Sequence, residues 1–381
     1  MNTLYWDTGK LGKEEDQKTY LPTLVERTRH YNDIVVINCF PNTKNSEEKE
    51  RDDWKAFIDR HVKEFTLVMF ESAYEANVYS ALHKVYRRLE YLQLNPLHVI
   101  FLTGGMNARD IHDRYCREQN ITHPIDIAVV NGWEHSAIIH NEKMPPQVYT
   151  PSNKERLFLC FNRISRYHRI ALLGMMYELD LVDRSFYSFF LGGYGSTFRR
   201  YFNGMKDRIG TEWFARINKQ ILLHMHEFPL RLNVETSGEN VNHTIESDRS
   251  YYDKTYFSLV TETYFFRASG LDHDEESVFF TEKTFKPIFA KHPFIALNRP
   301  RALHYLREMG YRTFTPFINE EYDTIENDQQ RLVAIVAEVE RLSKLTPEEW
   351  LDWSAGVADI VEHNHQHLMH KKIQDFEYKG R

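Results

Sequence analysis

Residues 257–263 read FSLVTET and residues 279–297 read FFTEKTFKPIFAKHPFIAL, with a polar loop between them. The first run predicts a short apolar strand ending at Thr261-Glu262-Thr263. An acidic loop, Asp272 to Glu276, follows it. Thr281 is placed to cap a helix that carries Glu282, Lys283 and Lys286 in its first turn and a half. A second apolar strand starts at Pro293. Strand, loop, capped helix and strand together predict a parallel β/α unit. The helix N-terminus offers free backbone N–H groups and a partial positive charge, which suit phosphate. Lys283 adds charge there, and the Glu282 carboxylate can accept hydrogen bonds from ribose hydroxyls. An acid followed directly by a base at a helix start therefore suits a sugar nucleotide.

This arrangement resembles the donor site of GT-B glycosyltransferases. It is most similar to the α-1,3-fucosyltransferase pattern, in which a Phe-Glu-Asn strand end precedes a Val-Thr-Glu-Lys helix start. It is closer still to glycosyltransferase-like proteins encoded by bacteriophages, where an E-K-x-x-K-P helix followed by P-F-I recurs. The resemblance covers roughly Leu157 to Asp323 and is weak or absent in residues 1–150. It implies an α/β fold of two Rossmann-like domains facing each other across a cleft. It also implies a nucleoside diphosphate sugar as donor substrate, with no separate cofactor and no metal. By position, Glu282 and Lys283 take the ribose and phosphate roles, and Glu262 matches the strand-end Glu. Thr263 stands where fucosyltransferases carry Asn, so the identity of the sugar does not transfer.

Length and composition frame this reading. A chain of 381 residues exceeds one ordinary core and fits two domains. The expected division is 1–150 for the acceptor, 151–345 for the nucleotide sugar, and 346–381 as a terminal helix returning to the first domain. No apolar run approaches the ~20 residues of a membrane span. The opening MNTLYWDTGKLGKEEDQ is polar and lacks a signal-peptide core. Cys39, Cys116 and Cys160 lie far apart and read as reduced residues, so the cytosol is expected. A net charge of −7 gives no broad nucleic-acid footprint.

The chain outside the opening stretch alternates strands and helices. Strands are expected at Asp33 to Phe40, Phe65 to Phe70, His98 to Leu102 and Ile125 to Val130. Helices are expected at Ala73 to Leu92 and Asn107 to Glu118. The rhythm implies a parallel sheet with helices on both faces and ligands at the carboxyl ends of strands. Met144 to Asn153 (MPPQVYTPSN) reads as a linker. Beyond it, strands are expected at Leu157 to Phe161, Ser185 to Leu191 and Arg312 to Phe314. Helices are expected at Ser165 to Leu179, Arg301 to Met309 and Gln329 to Leu345. Thr346-Pro347-Glu348-Glu349 opens a last helix with a capping box.

Five further stretches carry possible chemistry. Arg163, Arg166 and Arg169 lie at a strand end and the following helix start, where guanidinium groups match phosphate oxygens. Leu191 to Ser196 (LGGYGS) is a phosphate-cradle candidate without the Lys-Ser/Thr of a Walker loop, and a tight turn explains it equally well. Arg199 to Lys219 is basic and aromatic, which fits either an exposed helical face or a nucleic-acid backbone. Glu71, directly after FTLVMF, is the leading acceptor-activating base, with Glu134 and Asp126 competing. His363, His365, His367 and His370 share the last helix but lack the H-E-x-x-H spacing of a zinc protease. The partners expected are a nucleoside diphosphate sugar and an acceptor glycan, small molecule or modified DNA base. The rival readings are a glycosyltransferase that acts on hydroxylated bases of phage DNA and a non-catalytic nucleotide- or sugar-binding module.

Overall fold

The computed structural model describes residues 2–7, 10–12, 33–38, 55–64, 66–73, 75, 77–141, 148–190, 195–230, 232, 249–266 and 276–371. The chain divides into two compact units. One comprises Met1–His135, Ala268–Phe279 and Lys371–Arg381, the other Ser136–Arg267 and Phe280–His370. Each is an α/β unit built on a sheet of mainly parallel strands.

The first unit contains strands β1 (Asn2–Asp7), β2 (Lys10–Gly12), β3 (Asp33–Asn38), β4 (Thr66–Ser72), β5 (Val99–Thr103) and β6 (Asp126–Val129). They are ordered β2-β1-β3-β4-β5-β6, parallel throughout except for the antiparallel edge strand β2. Runs such as DIVVIN and TLVMFES are apolar on both faces, as parallel strands require. One face, with Val35, Val68, Phe70 and Phe101, packs against helices α1 (Val78–Leu92) and α2 (Ala108–Glu118). The other face, with Val36, Met69 and Leu102, is equally buried. From β3 to β6 the strand order follows chain order without reversal. Among the described strands, the one reversal of direction is at β1, which has the edge strand β2 on one side and β3 on the other. Strands β1 and β2 were invisible in a polar opening segment.

In the second unit, β7 (Arg156–Asn162), β8 (Phe186–Phe189), β9 (Thr255–Thr261) and β10 (Phe294–Leu297) form a wholly parallel sheet ordered β10-β9-β7-β8. The chain steps outward from β7 to β8, then returns to the far side of β7 to lay down β9 and β10. The direction therefore reverses between β7 and β9, and their carboxyl ends flank a topological switch point. Helix α3 (Gly132–Asn141) carries the boundary between units. Helix α4 (Tyr167–Glu178) follows β7 and is buried along nearly its whole length. Its Gly174 admits the helix over Thr211–Leu223, since a Cβ there would lie 2.7 Å from Ile217 Cγ2.

Two sequence expectations differ from the fold. Arg312 to Phe314 makes no strand, because side chains replace the ladder. Asn364 accepts from the Arg312 N–H at 2.7 Å and donates to its carbonyl at 2.8 Å, and Glu320 accepts from Phe314 N–H. The last helix, Pro347–His370, packs within the second unit rather than returning to the first. Its capping box forms as read, with Thr346 N–H on Glu349 Oε2 and Glu349 N–H on Thr346 Oγ1. Trp350 stacks on Tyr256 at 3.9 Å, and His363, His365 and His367 donate to the carbonyls of Gly310, Phe289 and Met309. Lys371 groups with the first unit.

His292, between the Lys291 turn and β10, is buried with its tautomer fixed. Nε2–H donates to Thr255 O at 3.0 Å and Nδ1 accepts from Ser258 Oγ at 2.9 Å. Burial pushes its pKa down to about 3. The unfolded chain therefore binds a proton that the folded chain refuses between the ordinary value of 6.5 and about 3. Its contribution to stability is complete above the upper limit and is lost as pH falls through that window. At about pH 5 the loss from this group is roughly 2 kcal/mol. Chemical denaturation of His292→Gln should show a shallower acid-side decline than the unaltered chain. Parallel declines would contradict a buried, neutral His292.

Candidate functional site

The site is organised by Glu262, the residue immediately after β9. Helix α9 (Glu282–Phe289) begins beside it; helices α5 (Gly195–Gly204), α6 (Lys206–Ile209), α7 (Thr211–Leu223) and α8 (Arg249–Asp253) precede it in the chain. The Glu262 carboxylate is fully buried and accepts four hydrogen bonds from protein groups. Oε1 receives Thr281 N–H at 2.9 Å and Thr284 Oγ1 at 2.6 Å; Oε2 receives Thr281 Oγ1 at 2.8 Å and Thr263 N–H at 3.2 Å. A buried carboxylate is costly unless it is hydrogen-bonded this fully, and its place at a helix N-terminus adds a favourable dipole term. Thr281 is the N-cap, its Oγ1 accepting from Lys283 N–H.

Helix α4 fixes the same strand end from below. Arg169 donates to Ile164 O and Thr261 O, each at 2.9 Å, and His168 Nε2–H donates to Glu262 O at 2.9 Å. Burial pushes the Arg169 pKa down to about 10, reinforced by the neighbouring Arg166 and opposed by Glu262 and Glu282. Burial and then the charges of Arg169 and Arg166 hold His168 well below its ordinary value, so it is neutral. Across the switch point, Thr261 Oγ1 donates to Asn162 Oδ1 at 2.7 Å, tying the ends of β9 and β7 together.

A cavity of about 270 Å³ opens at this edge. Arg163, Arg166, Arg169, Lys283 and Lys286 line it against one carboxylate, Glu282. Its remaining wall is largely apolar, with Leu159, Phe190, Leu259 and Tyr252. The Nε atoms of Arg166 and Arg169 are buried and find no hydrogen-bond partner among the described residues. Lys283 Nζ donates to Glu282 Oε1 at 2.7 Å and to Thr281 Oγ1 at 2.9 Å. Burial raises the Glu282 pKa, but the charge and hydrogen bond of Lys283 outweigh it, and the net shift is downward. The site thus holds an ionised carboxylate within a cationic rim.

The sequence-predicted residues separate into two groups. The five cations and Glu282 meet at the cavity. Glu262 and Thr281 are not among its lining residues and instead hold the helix start in position. The wall residues Leu159, Phe190 and Tyr252 went unnoticed, since each comes from a different element and none belongs to a local motif.

The first unit presents a second polar edge. Glu71 is the penultimate residue of β4, an interior strand, rather than the residue just beyond it, and its Oε1 accepts from Ala73 N–H at 2.7 Å. Gly104 is required beside it, because a Cβ there would lie within contact of Ala73 O and Phe279. Glu134 is buried and paired with Lys371 Nζ at 2.7 Å, a committed ion pair. Asp126 opens β6 and so stands at the amino edge of the sheet, opposite to the Glu71 edge. That placement removes it from competition with Glu71. The Gly-rich loop at 191–194 and the acidic residues at 272–275 lie outside the described residues. Glu276 pairs with Arg114 within the first unit.

Glu262→Ala leaves Thr281 and Thr284 without their acceptor at a buried helix start. It should lower stability by about 3 kcal/mol, and Glu262→Gln should cost less, since it keeps one acceptor oxygen. Denaturant midpoints of the two variants check this. Equal, small effects would contradict the bracing role.

A scan against protein-family models, a search of curated proteins and a search of solved structures each found no match to this chain.

Proposed function

We infer that the chain is a GT-B glycosyltransferase that moves a sugar from a nucleoside diphosphate sugar to a hydroxyl acceptor. In this reading the two Rossmann-like units face each other across a cleft. The single observation that carries it is the cation-lined cavity at the switch point between β7 and β9, closed on one side by the capped start of α9. Parallel α/β sheets bind ligands at such a crevice, and helix N-termini favour phosphate. Lys283, Lys286 and the arginines neutralise the diphosphate, and Glu282 accepts from ribose hydroxyls. The apolar wall of Leu159, Phe190 and Leu259 takes the less polar part of the nucleotide.

Departure of the diphosphate builds negative charge on the leaving oxygen. Fixed cations and the α9 N-terminus stabilise that charge without reorganising, which is where a preorganised site gains most. Glu71 takes the acceptor proton as the hydroxyl attacks the anomeric carbon. Glu134 is less suited to that role, because its carboxylate is already committed to Lys371.

A thermal-shift screen with nucleoside diphosphates, their sugar conjugates and free nucleosides tests the donor class, since a ligand of the folded state raises the unfolding midpoint. Diphosphates should raise it and nucleosides should not. By calorimetry, Lys283→Ala and Glu282→Ala should each weaken the best diphosphate ligand by about tenfold or more, the loss expected for a charge-assisted contact. Unchanged affinity in both would remove the site.

Glu71→Gln keeps the shape and removes the base. It should lower turnover by about 100-fold while donor affinity stays near the unaltered value. Turnover equal to that of the unaltered chain would show that Glu71 is not the base.

A further inference from the structure

Helix α2 carries His112 and Cys116 one turn apart, so their side chains share a face. Cys116 is half-buried, and its Sγ lies 3.3 Å from His112 Nε2. The Tyr86 hydroxyl, from α1, reaches the same two atoms, at 2.8 Å from His112 Nε2 and 3.6 Å from Cys116 Sγ. Ile125 N–H donates to that hydroxyl at 3.1 Å, and the Tyr86 ring stacks with those of His112 and Tyr115. A thiol, an imidazole and a fixed hydroxyl therefore stand within hydrogen-bond reach of one another, which is the grouping that activates a nucleophile.

The thiolate, not the thiol, attacks. Transfer of the Cys116 proton to His112 Nε2 leaves the sulfur facing an imidazolium N–H. The Tyr86 oxygen already accepts from Ile125, so its O–H is the group it can turn toward the sulfur. Cys160 is the contrast within the chain. It is buried in β7, and burial pushes its thiol up to about 12.

Tyr86 also lines a cavity of about 640 Å³, together with His83, Arg87, Glu90, Tyr115 and Gln119. Gln119 follows Cys116 by three positions, one helical turn. The cavity wall continues into the residues just before β5 and β6, at the amino edge of the sheet and so opposite the Glu71 edge. Aromatic rings and both signs of charge in one wall suit a small molecule that carries an amine and a carboxylate on a short carbon frame.

We propose that Cys116 is a thiolation site for amino-acid or peptide disulfides, with the attached group lying in the neighbouring cavity. The Cys116 thiolate attacks one sulfur of the disulfide. A new S–S bond forms to Cys116, the original S–S bond breaks, and the departing thiolate takes the proton held by His112. Cys116 is oxidised and the released half of the disulfide is reduced, so no other oxidant enters.

The test is reaction of the full chain with oxidised glutathione at neutral pH, read peptide by peptide by mass spectrometry. Cys116 should be modified about tenfold faster in the native chain than in the chain unfolded in guanidinium, whereas Cys160 should react only when unfolded. The unfolded rate is that of an ordinary exposed thiol, so this comparison needs no variant. His112→Gln, with its fold checked by thermal unfolding, should lose the advantage, because an amide cannot take the proton. Tyr86→Phe keeps the ring stack and should lose part of it. Arg87→Ala with Glu90→Ala should slow oxidised glutathione more than the uncharged hydroxyethyl disulfide. The proposal is overturned if native Cys116 reacts no faster than the unfolded chain, or if folded His112→Gln keeps the full rate. Equal slowing of the two disulfides would overturn the part given to the cavity.

Discussion

One buried carboxylate organises the second unit. Glu262 sits where a strand ends and gathers the N–H and hydroxyl of the N-cap Thr281, nineteen positions later in the chain, and the hydroxyl of Thr284 in the helix that Thr281 caps. Without those donors an ionised group in this position would cost several kcal/mol, and without the carboxylate the helix start would bury unsatisfied groups. Each side makes the other affordable. The result is a rigid corner between β9 and α9, which holds Lys283 and Glu282 at the mouth of the cavity. Arg169 and His168 press the same corner from α4 by hydrogen bonds to the carbonyls of residues 261 and 262.

The corner has an electrostatic consequence. Its interior is satisfied by protein groups, and cations gather at its rim around the cavity. Glu282 is the exception and pairs with Lys283. The Arg169 guanidinium divides its roles. Both of its Nη atoms are spent on carbonyls, while its Nε, like that of Arg166, is buried without a partner among the described residues. Such a set is preorganised for an anion with several oxygens.

What could be read from the sequence was local. The cap at Thr281, the acid-base pair after it, the Thr346 capping box and the apolar strand runs each declare themselves within a few residues. The bracing by Glu262 could not be read, because its partners are separated from it by a loop and nothing in TET distinguishes a brace from a ligand contact. The Glu134–Lys371 pair spans 237 positions and left no pattern. Arg312 to Phe314 has the composition of a short strand, but Asn364, from a distant helix, supplies the hydrogen bonds that a neighbouring strand would have made. The first strand, NTLYWD, alternates too weakly to stand out. In each case the deciding contact was long-range in sequence.

The proposed function stands on binding of a diphosphate at the rim around α9. A crystal structure of the chain soaked or grown with the best nucleoside diphosphate tests it most directly. Phosphate oxygens should lie within hydrogen-bond distance of Lys283 and of Arg163 or Arg166, with the α9 N-terminus facing them and the nucleoside against the Leu159–Leu259 wall. A nucleotide bound elsewhere, or one in this cavity with its phosphates turned away from all of those cations, would contradict it.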